Sequence, residues 1–187
     1  MNTLHTLAIK QELIHRKLAS GSTVEITALT IGFEKPDPPK LPAGTLHFAP
    51  KGTAMKGTYL SKPLVIFDNQ VFWGELAIVH TLINDGWQAV WVDTFHGRKF
   101  WQDMPNRARP VDLAQLEPNA HSLYQDICRE NGGPGGFFDV FAWRKDEVIF
   151  LQYKDSSDSA NKNEPRWLES ALKVGIPKTS LYLIIGQ

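Results

Sequence analysis

The sequence predicts an α/β fold in which helices flank a mixed β-sheet that contains a hairpin. Two alternating segments, 137–144 and 147–154, are separated by a short polar link, and this pattern is typical of a hairpin. Segments with helical spacing of apolar residues lie before and after that hairpin. The fully apolar segment 180–186 predicts a central strand. Together these observations indicate a mixed α/β sandwich.

The first third of the chain, residues 1–62, is predicted to form an N-terminal α+β extension. Apolar spacing over 4–19 predicts a helix that ends before a Ser-Gly pair. The segment 23–33 alternates and is rich in Thr, Val and Ile, so it predicts a strand. Prolines over 34–44 indicate a stiff, irregular linker. The segment 47–60 is ambiguous and is compatible with a short hairpin.

Residues 63–187 are predicted to form the main domain. Asp68 or Asn69 can cap a helix that runs to Asn84, where an Asp-Gly pair ends it. Asn163 can cap the last helix, whose first turn contains a proline. The elements between these two helices are, in order, a strand over 87–95, an irregular segment over 96–118, a helix over 119–131 and the hairpin.

Composition excludes several classes of protein. The chain has 187 residues, of which 42% are hydrophobic, so a sizeable core is expected and global disorder is not. No apolar run approaches the roughly 20 residues that cross a bilayer, and the N-terminal sequence lacks the features of a signal peptide. The single cysteine excludes an internal disulfide and a Cys-rich zinc site. We therefore expect a cytoplasmic protein without a membrane partner.

The charge balance limits how the protein could bind nucleic acid. Its 20 basic and 20 acidic residues give zero net charge, which argues against binding through a bulk positive field but leaves a local basic groove open. Most of the six tryptophans should lie in the core, although one or two could offer a stacking face for bases. The GGPGG segment lacks the Lys and Ser or Thr of a phosphate loop.

Three polar residues meet in the predicted hairpin. If Arg144 pairs with Glu147, the same register places Asp139 opposite Gln152. Lys154 follows Gln152 by two positions and therefore shares its face. A carboxylate, an amide oxygen and an amine would then converge on an apolar sheet, where buried polar groups need partners. A hydrated metal ion would satisfy all three, and the alternative is an ordinary solvated face.

Glu75 is the fourth polar residue of interest, because it lies inside the apolar stripe of the first helix of this domain. A carboxylate in that position is costly unless it is paired or binds a metal ion. The alternative is that Glu75 lies at a helix end, where the stripe meets solvent, and pairs with a lysine. The apolar residues at same-face spacings from it are Val71, Phe72, Ile78, Val79 and Leu82.

The order of these elements and residues resembles the PD-(D/E)xK nuclease superfamily, and most of all its virus-type replication-repair nuclease (VRR-NUC) domain. The segments that carry the resemblance are GGPGGFFDV, FLQYK, DSSDSANKNEPRWLESAL and GIPKTSLYLI, within residues 68–187. It implies a restriction-endonuclease-like core for the domain at 63–187. Phe138 replaces the family's proline before Asp139, and Gln152 replaces the usual acid. The second change leaves the site one negative charge short.

The resemblance implies a metal-dependent nuclease that hydrolyses phosphodiester bonds, with DNA as the expected substrate. Asp139, Glu75 and Gln152 would hold Mg²⁺ or Mn²⁺, directly or through water. Lys154 would position the attacking water or stabilise charge on the phosphate.

Other functions remain open from the sequence. The chain could be a non-catalytic module that kept the fold and binds nucleic acid or a protein partner, or it could be a structural subunit. Lys162 and Arg166 are candidates for contacts with nucleic-acid phosphates in either of the first two cases. A homo-oligomer or a complex with a protein partner is compatible with each function.

Overall fold

The computed structural model describes residues 2–37, 62–94, 99–104, 116–155 and 161–187. These residues form a mixed seven-stranded sheet with helices on both faces, together with a two-stranded hairpin. The predicted α/β class with a central mixed sheet is therefore confirmed. No described helix is long and apolar enough to cross a membrane. In chain order the elements are α1 (Asn2–Leu7), β1 (Ala8–Lys17), β2 (Thr23–Ile31), β3 (Leu64–Phe67), β4 (Gln70–Trp73), α2 (Gly74–Asn84), β5 (Gln88–Asp93), β6 (Lys99–Trp101), α3 (Pro118–Asn131), β7 (Val140–Arg144), β8 (Glu147–Asp155), α4 (Glu164–Lys173) and β9 (Leu181–Gly186).

The seven strands lie in the order β1-β2-β9-β8-β7-β5-β6. β9 is an interior strand, the third in this order, and runs parallel to both of its neighbours, β2 and β8, while the other adjacent pairs are antiparallel. The prediction from its apolar sequence is confirmed in that β9 is an interior strand, since a strand covered on both faces needs apolar side chains on both. β1 and β2, which come from residues 1–62, belong to the same sheet as β5 to β9.

Two apolar cores cover the two faces of the sheet. One lies under α2 and contains Leu76 and Val79 together with Val140 of β7. The other lies under α3 and α4 and contains Trp167 of α4 together with Phe141 of β7. Neighbouring residues of β7 thus belong to different cores, because side chains alternate along a strand.

The predicted helix over 4–19 is wrong. Only α1 is helical, and from Ala8 onward the chain forms the edge strand β1, paired with β2. Ile9 and Leu13 are four positions apart, a spacing compatible with one face of a helix and with one face of a strand. Backbone pairing with β2 decides between them, and it leaves these two side chains 66% and 62% exposed.

The predicted helix start at Asp68 or Asn69 is also wrong. These residues form the turn between β3 and β4, with φ values of 49° and 58°, and α2 begins only at Gly74. Asp and Asn tolerate this left-handed conformation better than most residues, which suits a tight hairpin turn. The predicted helix end at Asn84 is confirmed.

The region after β5 departs from the prediction as well. β6 forms at Lys99–Trp101, inside the predicted irregular segment 96–118. The predicted linker after residue 37 and the ambiguous segment 47–60 lie outside the described residues. The idea of a tryptophan stacking face is wrong, because all six tryptophans are 5% exposed or less: Trp73, Trp87, Trp91, Trp101, Trp143 and Trp167.

Candidate metal site

The β7–β8 hairpin has the predicted register. Arg144 faces Glu147 at the turn, and Val140 faces Leu151 at the other end of the ladder. The Lys-Asp link forms this turn even though Lys145 adopts a φ of 53°. The ladder ends at the Val140–Leu151 pair. The next residues beyond it are Asp139 and Gln152, and the register brings them together where the strands separate.

Asp139 lies at the point where the hairpin strands separate. Its backbone oxygen accepts a hydrogen bond from the Val92 nitrogen of β5 at 2.7 Å. Its side-chain oxygen Oδ2 accepts one from the Tyr153 nitrogen of β8 at 2.9 Å. The carboxylate therefore takes the place of a backbone acceptor and anchors Asp139 between β5 and β8.

Gln152 meets Asp139 through its side chain, but through the nitrogen of the amide. Gln152 Nε2 donates to Asp139 Oδ2 and, at 3.3 Å, to the Tyr153 oxygen. Gln152 Oε1 is buried and has no hydrogen-bond partner among the described residues. A buried acceptor without a donor is costly, so a cation or a bound water at this oxygen would stabilise the site.

Glu75 lies in the first turn of α2 and is 5% exposed. The predicted apolar stripe around it is correct only for the residues that follow on α2, because Val71 and Phe72 lie in β4. Its Oε1 forms an ion pair with Lys62 Nζ, and its Oε2 has no hydrogen-bond partner among the described residues. Lys62 Nζ also lies 5.0 Å from the centroid of the Trp91 ring. Negative charge in a first helical turn is favourable because the helix dipole is positive there.

The sequence interpretation missed Lys62, although a signal for it existed. In the β3–β4 hairpin, Leu64 pairs with Trp73. Extending that register by two positions places Lys62 opposite Glu75. Predicting a helix cap at the turn residues hid this hairpin and therefore hid the lysine.

Tyr153 brings the helix residue and the strand residues together. Its buried ring lies so close to Gly74 and Gly186 that a Cβ at either glycine would overlap it. The first turn of α2 therefore packs directly on β8, and Glu75 follows Gly74 in that turn. The backbone nitrogen of the same tyrosine donates to Asp139.

The charges of this cluster act strongly on Asp139. Desolvation and the negative charge of Glu75 raise the pKa of Asp139 to about 7, against the opposing effects of Lys62, the Tyr153 hydrogen bond and Lys154. An Asp with an ordinary pKa of 3.8 therefore titrates near neutral pH. The other three predicted site residues, Glu75, Gln152 and Lys154, thus act on this one carboxyl group, either by a hydrogen bond or electrostatically.

Lys154 connects the cluster to a second buried glutamate. Its Nζ lies 3.8 Å from Oε2 of Glu164, the first residue of α4, which is 1% exposed. Glu164 Oε1 pairs with Arg16 of β1. The sequence interpretation missed both residues. Glu164 precedes Trp167 and Leu168 at the same-face spacings that marked Glu75, whereas Arg16 was hidden by the wrong helix prediction.

The GGPGG loop packs against the start of α4. Gly136 has a φ of 80°, and a Cβ there would overlap the backbone of Asn163. Asn131 Nδ2 donates to the carbonyls of Gly133 and Gly135 at 2.7 and 2.8 Å, which holds the loop in place. The loop thereby fixes where the chain enters β7 relative to α4.

Lys162 and Arg166 are both exposed and flank the beginning of α4. Arg166 Nη2 lies against Gly132 of the glycine-rich loop. Their contact with nucleic acid stays a prediction, and their exposure is compatible with it.

The residues present fit a hard divalent cation. Among the described residues, no group of three or more His, Cys, Asp or Glu side chains could hold a metal ion. The donor set here is instead two carboxylates and one amide, all hard oxygen ligands of the kind that Mg²⁺ and Mn²⁺ accept. Two of these oxygens, Glu75 Oε2 and Gln152 Oε1, lack a hydrogen-bond donor. For Gln152 to share a cation with Asp139, its amide must make a half-turn that exchanges nitrogen and oxygen.

Comparison with known proteins finds no matching family model, no matching curated protein and no matching solved structure.

Proposed function

We propose that this protein is a metal-dependent nuclease that hydrolyses phosphodiester bonds, with DNA as its expected substrate. The observation that carries the proposal is that three polar residues, Glu75 of α2 and Gln152 and Lys154 of β8, act on the carboxyl group of Asp139, the residue before β7. A restriction-endonuclease-like core of the VRR-NUC type is part of the same proposal.

Each residue has a role in this proposal. Asp139 and Glu75 bind Mg²⁺ or Mn²⁺ through carboxylate oxygens, and Gln152 contributes its amide oxygen or orients a water. A bound ion of this kind lowers the pKa of its water and neutralises phosphate oxygens. Lys154 contributes a positive charge close to Asp139, where it stabilises the negative charge that develops on the scissile phosphate. Lys162 and Arg166 bind flanking phosphates and so set the position of the strand.

The test is cleavage of DNA substrates by the purified protein with Mg²⁺ or Mn²⁺. The wild type should cleave only with a divalent ion, and Asp139→Ala should abolish cleavage while keeping the fold, because it removes the most constrained ligand. Asp146→Ala is the matched control, since Asp146 is an exposed residue of the hairpin turn. Cleavage by Asp139→Ala at the wild-type rate would contradict the assignment.

A second function is favoured by Lys62. Its ammonium already compensates the charge of Glu75, as expected in a non-catalytic module that kept the fold and binds nucleic acid or a protein partner. The two functions differ in one measurable property. A nuclease must exchange the lysine for a metal ion at Glu75, so Lys62→Gln should strengthen metal binding, whereas in a non-catalytic module the same change only removes an ion pair.

A further inference from the structure

A row of ion pairs connects the N-terminal hairpin to Lys154. Arg16 of β1 pairs with Glu164 Oε1, and Lys154 Nζ lies 3.8 Å from Glu164 Oε2. The side chain of Glu164 is 2% exposed, whereas those of Arg16 and Lys154 are 29% and 17% exposed. Since a buried carboxylate is costly without partners, the two cations stabilise Glu164 in this position.

Lys154 lies between two carboxylates. On one side, Glu164 Oε2 has no hydrogen bond among the described residues, and the Lys154 ammonium lies 3.8 Å from this oxygen. On the other side the charge of Lys154 acts on Asp139. The position of the ammonium group therefore depends on how firmly each carboxylate attracts it.

We propose that Glu164 is a positioning residue for Lys154, and that Arg16 holds Glu164 in place. The inference rests on the proposed nuclease function, in which Lys154 acts on the phosphate. Without Glu164, the Asp139 carboxylate attracts the ammonium toward the metal ligands. Without Arg16, Glu164 attracts it toward α4. The hairpin formed by β1 and β2 therefore contributes to the site through Arg16.

The first test observes the ammonium group itself. In protein labelled with ¹⁵N-lysine, a held ammonium gives a resolved Nζ signal, which Lys154→Arg identifies by removing it. Glu164→Gln and Arg16→Gln should shift or broaden that signal, and Arg16→Lys should restore it. Glu169→Gln is the matched control, since Glu169 lies on the same helix and pairs with Lys173 at 3.4 Å. Absence of a resolved wild-type signal, or an unchanged signal in Glu164→Gln, would overturn the inference.

The second test separates positioning from stability. Glu164→Gln and Arg16→Gln should lower kcat about tenfold or more with KM little changed, because a misplaced charge costs rate rather than binding. Arg16→Lys should recover most of the rate. A loss of thermal stability with an unchanged kcat would mean that the ion pairs are structural. If the wild type never cleaves, the proposed function fails, and the lysine signal still decides whether Glu164 and Arg16 position Lys154.

Discussion

Glu75 and Glu164 are two buried glutamates in the first turns of helices on opposite faces of the sheet, and their surroundings differ in one respect. Each has Oε1 in an ion pair and Oε2 without a hydrogen bond among the described residues. Glu75 shares Lys62 with a second carboxyl group, Asp139, whereas Glu164 faces two cations, Arg16 and Lys154, of which Lys154 also acts on Asp139.

This difference separates two tasks. Around Glu75 the carboxyl groups outnumber the lysine that pairs there, and their mutual repulsion contributes to the raised pKa of Asp139. Such a cluster gains stability from an added cation. Around Glu164, two cations lie next to one carboxylate. This cluster therefore holds a lysine and gains no stability from an added metal ion. The surroundings of Glu75 therefore suit metal binding, and those of Glu164 suit positioning of Lys154.

The largest expected effect tests this comparison by neutralising each glutamate in metal-free protein. Glu164→Gln should lower the free energy of unfolding by about 3 kcal/mol, since it leaves two cations without their buried carboxylate. Glu75→Gln should cost less than about 1 kcal/mol, because loss of the Lys62 ion pair is offset by relief of repulsion with Asp139. Urea unfolding measures both values. Equal losses in the two variants would show that the two clusters do not differ as described.

The pH dependence of stability sharpens the comparison. Native Asp139 has a pKa of about 7, above its ordinary value of 3.8, so the native state holds the proton more tightly than the unfolded state. Its contribution to stability is complete below about pH 4 and is lost as the pH rises through about 7. We expect metal-free Asp139→Asn to lack this fall. Identical pH profiles for the two proteins would contradict the charge assignment.

The smallest expected effect concerns Gln152. Gln152→Glu adds one negative charge at nearly constant volume, so it should destabilise the metal-free protein and lower the Mg²⁺ concentration needed for binding. Both effects should be on the order of 1 kcal/mol, because solvent partly screens the added charge. Thermal melts over a range of Mg²⁺ concentrations measure them. If neither protein responds to metal and the variant melts lower, the metal mechanism has to be abandoned.

The sequence predicted the parts of the site that depend on local register. Asp139 and Gln152 belong to one hairpin, whose pairing follows from strand alternation, and Glu75 stands out because a charge interrupts an apolar stripe. Lys62 was predictable in principle, but only from a hairpin whose turn residues also look like a helix cap.

The contact of Arg16 with the site could not be predicted from the sequence. Its contact with Glu164 joins residues 148 positions apart, and it depends on β1 being a strand. β1 is a strand because it pairs with β2, which in turn pairs with β9 near the end of the chain. Such long-range pairing overrides the local secondary-structure preference of residues 8–17, so their sequence alone does not predict a strand.

The most direct test of the metal site is a thermal-stability titration of wild type and Asp139→Asn with Mg²⁺ and Mn²⁺ at pH 8. Without metal, Asp139→Asn should melt at the higher temperature, because it removes a desolvated charge beside Glu75. With increasing metal, the wild type should gain stability as binding to the native state requires, while the variant should not respond. The two melting curves should therefore approach or cross as metal is added. A wild type that ignores both ions, or a variant that responds equally, would contradict the assignment of a metal site to Glu75, Asp139 and Gln152.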